Sequence, residues 1–308
     1  MAIFPLSFLY GCILAPNFLI KNNYEETFFK FLIYTGTFLS IITLITSFIT
    51  AFSCGSIDLP TLQTAQFDKV HSLIDSNYQG AVVAVSSVVC IYFLFKRTEK
   101  KLFYLFILLL NILNLLVLAS RASLLSVAIC VSIALILYST KGMKWILFLS
   151  GAICGLLYAF YKNSIELSPV LYYNIFDAER GSTGRLELWK EILEKSTQKI
   201  FTGYGNNVLE ISTQVPYANL SSSHNSFIDF LAINGGILLI LYVFIMLRGV
   251  LKAFYRSKES PAFLVFICIL VLMNFTTHNL GGVSYIPQII GILLGFAFIP
   301  SRVSPPKN

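Results

Sequence analysis

Long apolar runs separated by short polar connections dominate this sequence of 308 residues. Each run has about the 20 residues that cross a bilayer as an α-helix, and none shows the alternation of a membrane β-strand. The pattern predicts an all-α, polytopic transmembrane helical bundle, with residues 1–308 as a single integral membrane domain. We predict about nine spans, near residues 3–20, 30–53, 78–96, 102–119, 122–139, 144–162, 224–247, 261–277 and 283–300.

Composition narrows the class further. The chain is 56% hydrophobic and 12% charged, unlike an ordinary soluble domain. Its six cysteines lack C-x-x-C spacing and lie mostly in apolar runs, which is typical of small buried hydrophobic residues rather than disulfides or metal ligands. The net charge of +7 comes from basic residues clustered between spans, so we predict contact with membrane lipids and no nucleic-acid partner. The first residues lack the pattern of a cleaved signal peptide.

The positions of the basic residues predict the orientation of the spans. Five connections carry clustered Lys and Arg: 21–30 with 2, 95–101 with 4, 140–144 with 2, 248–260 with 4 and 301–308 with 2. These connections alternate along the chain and fit on one side, which the positive-inside rule places in the cytoplasm. Residues 163–222 then form a large extracytoplasmic loop. The amino terminus is predicted outside and the carboxyl terminus inside.

The large loop is predicted to carry a short amphipathic helix. Ser182 and Thr183 offer an N-cap. The apolar residues that follow, predicted to share one helical face, are Leu186, Trp189, Ile192 and Leu193. This spacing is typical of a helix lying on the membrane surface, with its tryptophan at the interface.

Two arginines flank the start of this helix, Arg180 and Arg185. A helix amino terminus with two arginines is suited to binding an anion, and anchoring to lipid head groups is the alternative. Further along, residues 201–206 (FTGYGN) have the composition of a turn. Their G-x-G spacing alone is weak evidence for phosphate binding.

Arg121 lies between two apolar runs, at the predicted outer rim of the membrane. There it either extends its guanidinium to water or faces a cavity and holds an anion. Its small neighbours (Ala119, Ser120, Ala122 and Ser123) are predicted to let a ligand approach the backbone. A planar guanidinium suits a pyrophosphate because it donates two parallel hydrogen bonds.

His224 is predicted to begin the seventh span, after a Ser-Ser-Ser cap at residues 221–223. In the first turn of a helix the dipole favours the neutral imidazole, which is the form that a general base needs. A cap-region histidine hydrogen-bonded to the loop is the alternative. Asn225 and Asp229 are four residues apart and so share a helical face. An intramembrane carboxylate usually has a partner, and Arg121 or Arg185 are the candidates for Asp229.

These motifs together resemble the O-antigen ligase and O-antigen polymerase superfamily of bacterial envelope proteins. The residues that carry the resemblance are Ser120-Arg121, Ser182-Thr183-Gly184-Arg185, Leu188-Trp189, the F-x-G-Y-G turn at 201–205, His224-Asn225, Leu231 and Asn234-Gly235-Gly236-Ile237. Asp75-Ser76-Asn77-Tyr78 is similar to the family's Pro-Asn motif, with Ser where Pro is common. The resemblance covers about residues 60–300.

The resemblance implies an inverting, metal-independent glycosyltransferase without a cofactor, on the outer face of the bacterial inner membrane. Its donor would be an undecaprenyl-pyrophosphate-linked glycan, and its acceptor a lipid A core or another glycan, as in lipopolysaccharide, capsule or exopolysaccharide synthesis. Arg121, Arg185 and Arg180 would bind the pyrophosphate and His224 would be the catalytic base. Asn225, Asp229 and Trp189 would have supporting roles.

Two other functions fit parts of the same pattern. A flippase for a lipid-linked sugar also needs cations for pyrophosphate, but it is expected to show an internal repeat, and none is visible. Family members typically have more spans than we count here, and loss of helices from the amino end would give an outward amino terminus. A truncated, non-catalytic member is therefore the remaining alternative.

Overall fold

The computed structural model describes residues 13–22, 24–53, 55, 76–96, 100–118, 120–139, 185–205, 225–274 and 285–298. These residues form α-helices, short 3₁₀ and π segments and turns, and none of them is in a strand. The helices are α1 (Ala15–Lys21), α2 (Glu25–Ser53), α3 (Ser76–Lys96), α4 (Lys101–Val117), α5 (Arg121–Tyr138), α6 (Arg185–Ser196), α7 (Ser226–Tyr255), α8 (Ala262–Met273) and α9 (Tyr285–Phe298). Within this part of the chain the all-α prediction is confirmed.

Four of these helices have the length and hydropathy to cross a membrane, namely α2, α3, α5 and α7. Two shorter apolar helices, α4 and α8, coincide with further predicted spans. The predicted span at 144–162 lies outside the described residues, as does most of the one at 3–20. An integral membrane protein is therefore shown, while the count of nine spans and the single domain stay predictions.

The helices fall into two compact units, residues 33–181 and residues 1–32 with 182–308. In the first unit, α3 is the most buried of the long helices. Two glycines allow other residues of this unit to pack closely against α3. A Cβ on Gly36 of α2 would lie 2.3 Å from the Cβ of Ser86. A Cβ on Gly80 of α3 would lie 2.6 Å from the hydroxyl of Ser120. Small residues at these contacts let membrane helices approach closely.

A buried polar network also joins α2, α3 and α4 in this unit. The Ser40 hydroxyl donates to Oδ1 of Asn111 at 2.9 Å, and Nδ2 of Asn111 donates to the Ser86 hydroxyl at 3.0 Å. Asn114 donates to Ser40 at 3.2 Å, and Ser86 donates to the Ile33 carbonyl at 3.1 Å. Interhelical bonds of this kind contribute about 0.6 kcal/mol each in a membrane protein, so the network selects the helix register more than it adds stability.

In the second unit, an ion pair fixes the carboxyl end of α7. Arg256 lies 2.9 Å from the carboxylate of Glu25 at the start of α2, and it donates to the Phe296 carbonyl of α9 at 3.2 Å. The rings of Phe28 and Phe29 pack against Phe296 beside this pair. Three helix ends therefore meet at one arginine, which the sequence had indicated only as one of several basic residues.

Candidate functional site

Helix α7 is interrupted at Gly235. The backbone there has φ 79° and ψ 171°, which no residue in an α-helix adopts and which L side chains rarely tolerate. The break divides α7 into an amino-terminal half (residues 226–234) and a carboxyl-terminal half (residues 236–255). The backbone N–H and C=O groups next to the break have no hydrogen-bond partners within the helix, so they need partners from elsewhere.

A turn formed by residues 200–205 supplies those partners. The N–H groups of Tyr204 and Gly205 donate to the carbonyls of Ala232 and Ile233 at 2.8 and 2.9 Å, and the Gly236 N–H donates to the Ile200 carbonyl at 2.5 Å. Gly203 and Gly205 both have positive φ, 66° and 68°. The predicted turn at 201–206 is confirmed for residues 201–205, the part that the structure describes, and its G-x-G segment contacts the backbone of α7.

Helix α6 packs along the amino-terminal half of α7. Leu188 and Ile192 are buried in one cluster with Ala232, and Ile228 packs against that cluster. Leu188, which was not in the predicted apolar face, is 2% exposed, while Leu193 is 43% exposed; the contact of the predicted face with the membrane surface stays a prediction. Packing against α7 selects the face that includes Leu188, a choice that spacing within α6 alone does not reveal.

Trp189 is half-buried on α6, and its location at a membrane interface stays a prediction. The carboxyl end of α6 leads into the 200–205 turn, where the Tyr204 hydroxyl donates to the Lys195 carbonyl at 2.9 Å. The Lys199 ammonium lies 4.8 Å from the centre of the Tyr204 ring. These contacts hold the turn on the end of α6.

Asn225 is the N-cap of α7. Its side-chain oxygen accepts from the N–H groups of Phe227 and Ile228 at 3.0 and 3.2 Å, so the predicted serine cap is wrong. Asparagine caps as well as serine does, and here it starts the helix at Ser226. His224 directly precedes this cap in the sequence and lies outside the described residues.

Asn225 and Asp229 are joined by the first backbone bond of α7. The Asp229 N–H donates to the Asn225 carbonyl at 3.0 Å, and both residues are buried. Asp229 lies in the first turn of α7, and the shared face of the two side chains stays a prediction. Nδ2 of Asn225 donates to the Asn274 carbonyl at the end of α8 at 3.4 Å. The pairing of Asp229 with an arginine stays a prediction.

We expect Asn225→Ala to destabilise the protein by about 1 kcal/mol, the usual cost of losing an N-cap side chain. Asn225→Ser is the matched control, since a serine hydroxyl also accepts from the first-turn N–H groups. The measurement is thermal unfolding of the detergent-solubilised protein. Equal midpoints for the alanine and serine variants would show that the cap contributes nothing.

Arg121 is the first residue of α5 and is half-buried. Two of its small neighbours take part in helix packing. Ser120 and Ser123 are buried, their hydroxyls bond to each other at 2.8 Å, and both lie against Gly80 of α3. The approach of a ligand to the backbone beside Arg121 stays a prediction.

The other predicted site residues are placed only in part. Arg185 is the first residue of α6, with only its backbone described. Arg180 and His224 lie outside the described residues. The break in α7 was not predicted, although the sequence carries a signal for it. Two glycine pairs, Gly203-Tyr204-Gly205 and Gly235-Gly236, lie about 30 residues apart in the printed sequence, and glycine favours both positive φ and close backbone contact.

A comparison with protein families decides the assignment. The model of a family described as O-antigen ligase matches residues 106–243. This match to the O-antigen ligase family covers just under half of the chain. The matched domain contains Arg121, the whole 180–205 segment, His224 and the break in α7. The resemblance read from the sequence is thus confirmed, over a shorter stretch than the expected 60–300, and the motif at 75–78 falls outside it. A comparison with curated proteins gave no match.

The O-antigen ligase family defines the function in general terms. Its members are membrane proteins of the ligase and polymerase type, whose reaction is broadly that of a glycosyltransferase. Together with the apolar helices, this indicates an integral membrane protein acting on a lipid-linked glycan and an acceptor.

Proposed function

We propose that this O-antigen ligase family protein moves a glycan from an undecaprenyl-pyrophosphate carrier to an acceptor hydroxyl on the outer face of the bacterial inner membrane. The observation that carries the proposal is a shared position within the family domain. Arg121 is the first residue of α5, Arg185 is the first residue of α6, and His224 directly precedes the N-cap of α7. Both arginines thus lie at helix amino ends.

This position suits the leaving group of the reaction. Unpaired N–H groups and the macrodipole make a helix amino end electropositive, and a guanidinium adds a full charge with paired donors. In the proposed reaction, negative charge grows on the pyrophosphate as its bond to the sugar breaks. Arginines fixed in advance stabilise that charge more in the transition state than in the ground state. We assign this role to Arg121 and Arg185, and also to Arg180.

The acceptor hydroxyl must lose a proton in the same reaction. In the proposed step, His224 takes the proton from the acceptor hydroxyl while the acceptor oxygen bonds to the sugar carbon and the pyrophosphate leaves with the bonding electrons. Asn225 supports the step by fixing the chain directly after His224. The Asp229 carboxylate, one turn into the same helix, favours the imidazolium that forms. Trp189 is proposed to anchor α6 at the interface. The reaction requires no metal in this scheme.

The test is a reconstitution in liposomes with a fluorescent undecaprenyl-pyrophosphate glycan. We expect glycan transfer in the presence of EDTA when a lipid A core or a second lipid-linked glycan is the acceptor. Product on the lipid A core identifies a ligase, and elongated lipid-linked product identifies a polymerase. Movement of the donor across the bilayer without transfer would replace the enzyme proposal with a flippase, and neither activity would indicate a non-catalytic member.

A further inference from the structure

We propose that Gly203 and Gly235 are positioning residues for the transfer reaction, because they dock the 200–205 turn into the break in α7. The inference rests on the proposed function for the reaction itself, and on the described contacts for the geometry. Every contact used here lies within the unit of residues 1–32 and 182–308.

The two glycines form a reciprocal close contact. A Cβ on Gly235 would lie 2.3 Å from the Phe201 carbonyl oxygen, and a Cβ on Gly203 would lie 2.4 Å from the Ile233 carbonyl oxygen. The obstructing atoms are backbone in both cases, so no side chain can turn aside. Both glycines also have positive φ, which disfavours other residues independently of space. Each side of the contact therefore requires glycine.

The contact completes the hydrogen bonding of an interrupted helix. Three backbone bonds cross between the turn and α7, donated by Tyr204, Gly205 and Gly236. An irregular backbone in a membrane protein is tolerated only where such groups find partners. The break and the turn are therefore interdependent, since each satisfies groups that the other leaves open.

The docked turn connects α6 to α7, the two helices whose amino ends adjoin proposed site residues. The turn follows α6, which begins at Arg185, and it docks on α7, whose N-cap follows His224. The cluster of Leu188 and Ile192 against Ala232 adds a second attachment between the same two helices. Two attachments fix α6 along the amino-terminal half of α7. We infer that these attachments fix the start of α6 at Arg185 relative to the α7 cap that follows His224 in the sequence.

We expect Gly203→Ala and Gly235→Ala to lower kcat for glycan transfer about 100-fold, the loss that a displacement of about 1 Å in a catalytic group produces. The donor KM is expected to change less than about threefold, because neither glycine contacts substrate in this account. Gly205→Ala is the matched control in the same turn. It has a similar positive φ, but among the described residues a Cβ there meets nothing within 4 Å, so its kcat should exceed that of the other two variants at least tenfold.

Gly249→Ala controls for damage to α7 in general. A Cβ there would lie 2.8 Å from a Leu294 side-chain atom, in the half of the helix away from the turn. A second readout is independent of activity: amide hydrogen exchange of residues 200–205 in the membrane-reconstituted protein. Exchange should be slow in the wild type and in Gly249→Ala, and fast in Gly235→Ala.

The outcomes separate the two proposals. Low kcat with fast exchange in the Gly203 and Gly235 variants supports the positioning role. Equal kcat for all four glycine variants, or a loss confined to the donor KM, overturns it. If the Gly203 and Gly235 variants are insoluble, Leu188→Ala takes their place, because it loosens the attachment of α6 to α7 without a clash. An unchanged kcat in that variant also overturns the positioning role. If the wild type transfers no glycan, the proposed function fails and the positioning role fails with it. Slow exchange at 200–205 would then show that the docked turn itself is correct.

Discussion

His224→Ala is expected to lower kcat for glycan transfer by about 10²- to 10⁴-fold, the contribution usual for a positioned general base. The acceptor hydroxyl of a sugar is a poor nucleophile until its proton is removed, and no other histidine lies in the family domain. The measurement is single-turnover transfer with saturating donor and acceptor, so that substrate binding does not limit the rate.

His224→Gln is the informative companion variant. Glutamine keeps hydrogen-bonding capacity next to the Asn225 cap but cannot accept a proton at neutral pH. If His224 is the general base, we expect His224→Ala and His224→Gln to be equally inactive. If His224→Gln transfers glycan at the wild-type rate, the histidine only hydrogen-bonds to the loop, and the catalytic base must be sought elsewhere.

Arg121→Ala is expected to lower the transfer rate by about 10²- to 10³-fold, comparable to removing one donor that stabilises a developing oxyanion. Arg121→Lys should recover only part of this loss, because an ammonium lacks the paired donors that match a phosphate group. The measurement is kcat/KM for the lipid-linked donor. Ser120 and Ser123 are packed against α3, so they are not expected to compensate.

Arg248→Ala supplies the control for Arg121. Arg248 lies 5.8 Å from the Phe244 ring on the carboxyl-terminal half of α7, outside the family domain. Its loss also removes an arginine from an apolar helix, and transfer should stay within about threefold of the wild type, as for a substitution away from the site. Equal activity losses in the Arg121 and Arg248 variants would mean that arginines here serve insertion rather than pyrophosphate binding.

The helices were predictable because they depend on local pattern. An apolar run of bilayer length specifies a spanning helix almost regardless of its neighbours, and α2, α3 and α5 begin and end within a few residues of the predicted bounds. The amino end of α7 was less certain. Three serines and one asparagine compete there as caps of similar quality, so pattern alone could not select Asn225.

The interruption of α7 could not be predicted from α7 itself. Residues 226–255 read as one continuous apolar helix, and a glycine pair inside such a run is common in membrane proteins. The break exists because the 200–205 turn provides partners from outside the helix. Pairing between segments some 30 residues apart along the printed sequence is a tertiary property, and the same holds for the face that α6 presents to α7.

The candidate residues of the site were predicted through motif resemblance more than through local physics. Arg121 is an ordinary rim arginine by pattern, and Ser120 and Ser123 beside it pack against Gly80. The structure adds that Arg121 and Arg185 are each the first residue of a helix. That position favours anion binding by each arginine separately.

The most direct test of the central claim is the stoichiometry of the leaving group. Purified protein in liposomes receives the lipid-linked glycan and an acceptor, with EDTA present, and both glycan product and free undecaprenyl pyrophosphate are measured over time. We predict that one undecaprenyl pyrophosphate is released for each glycan transferred, and that Arg121→Ala slows both equally. Glycan transfer without released pyrophosphate lipid, or release without transfer, would contradict the account.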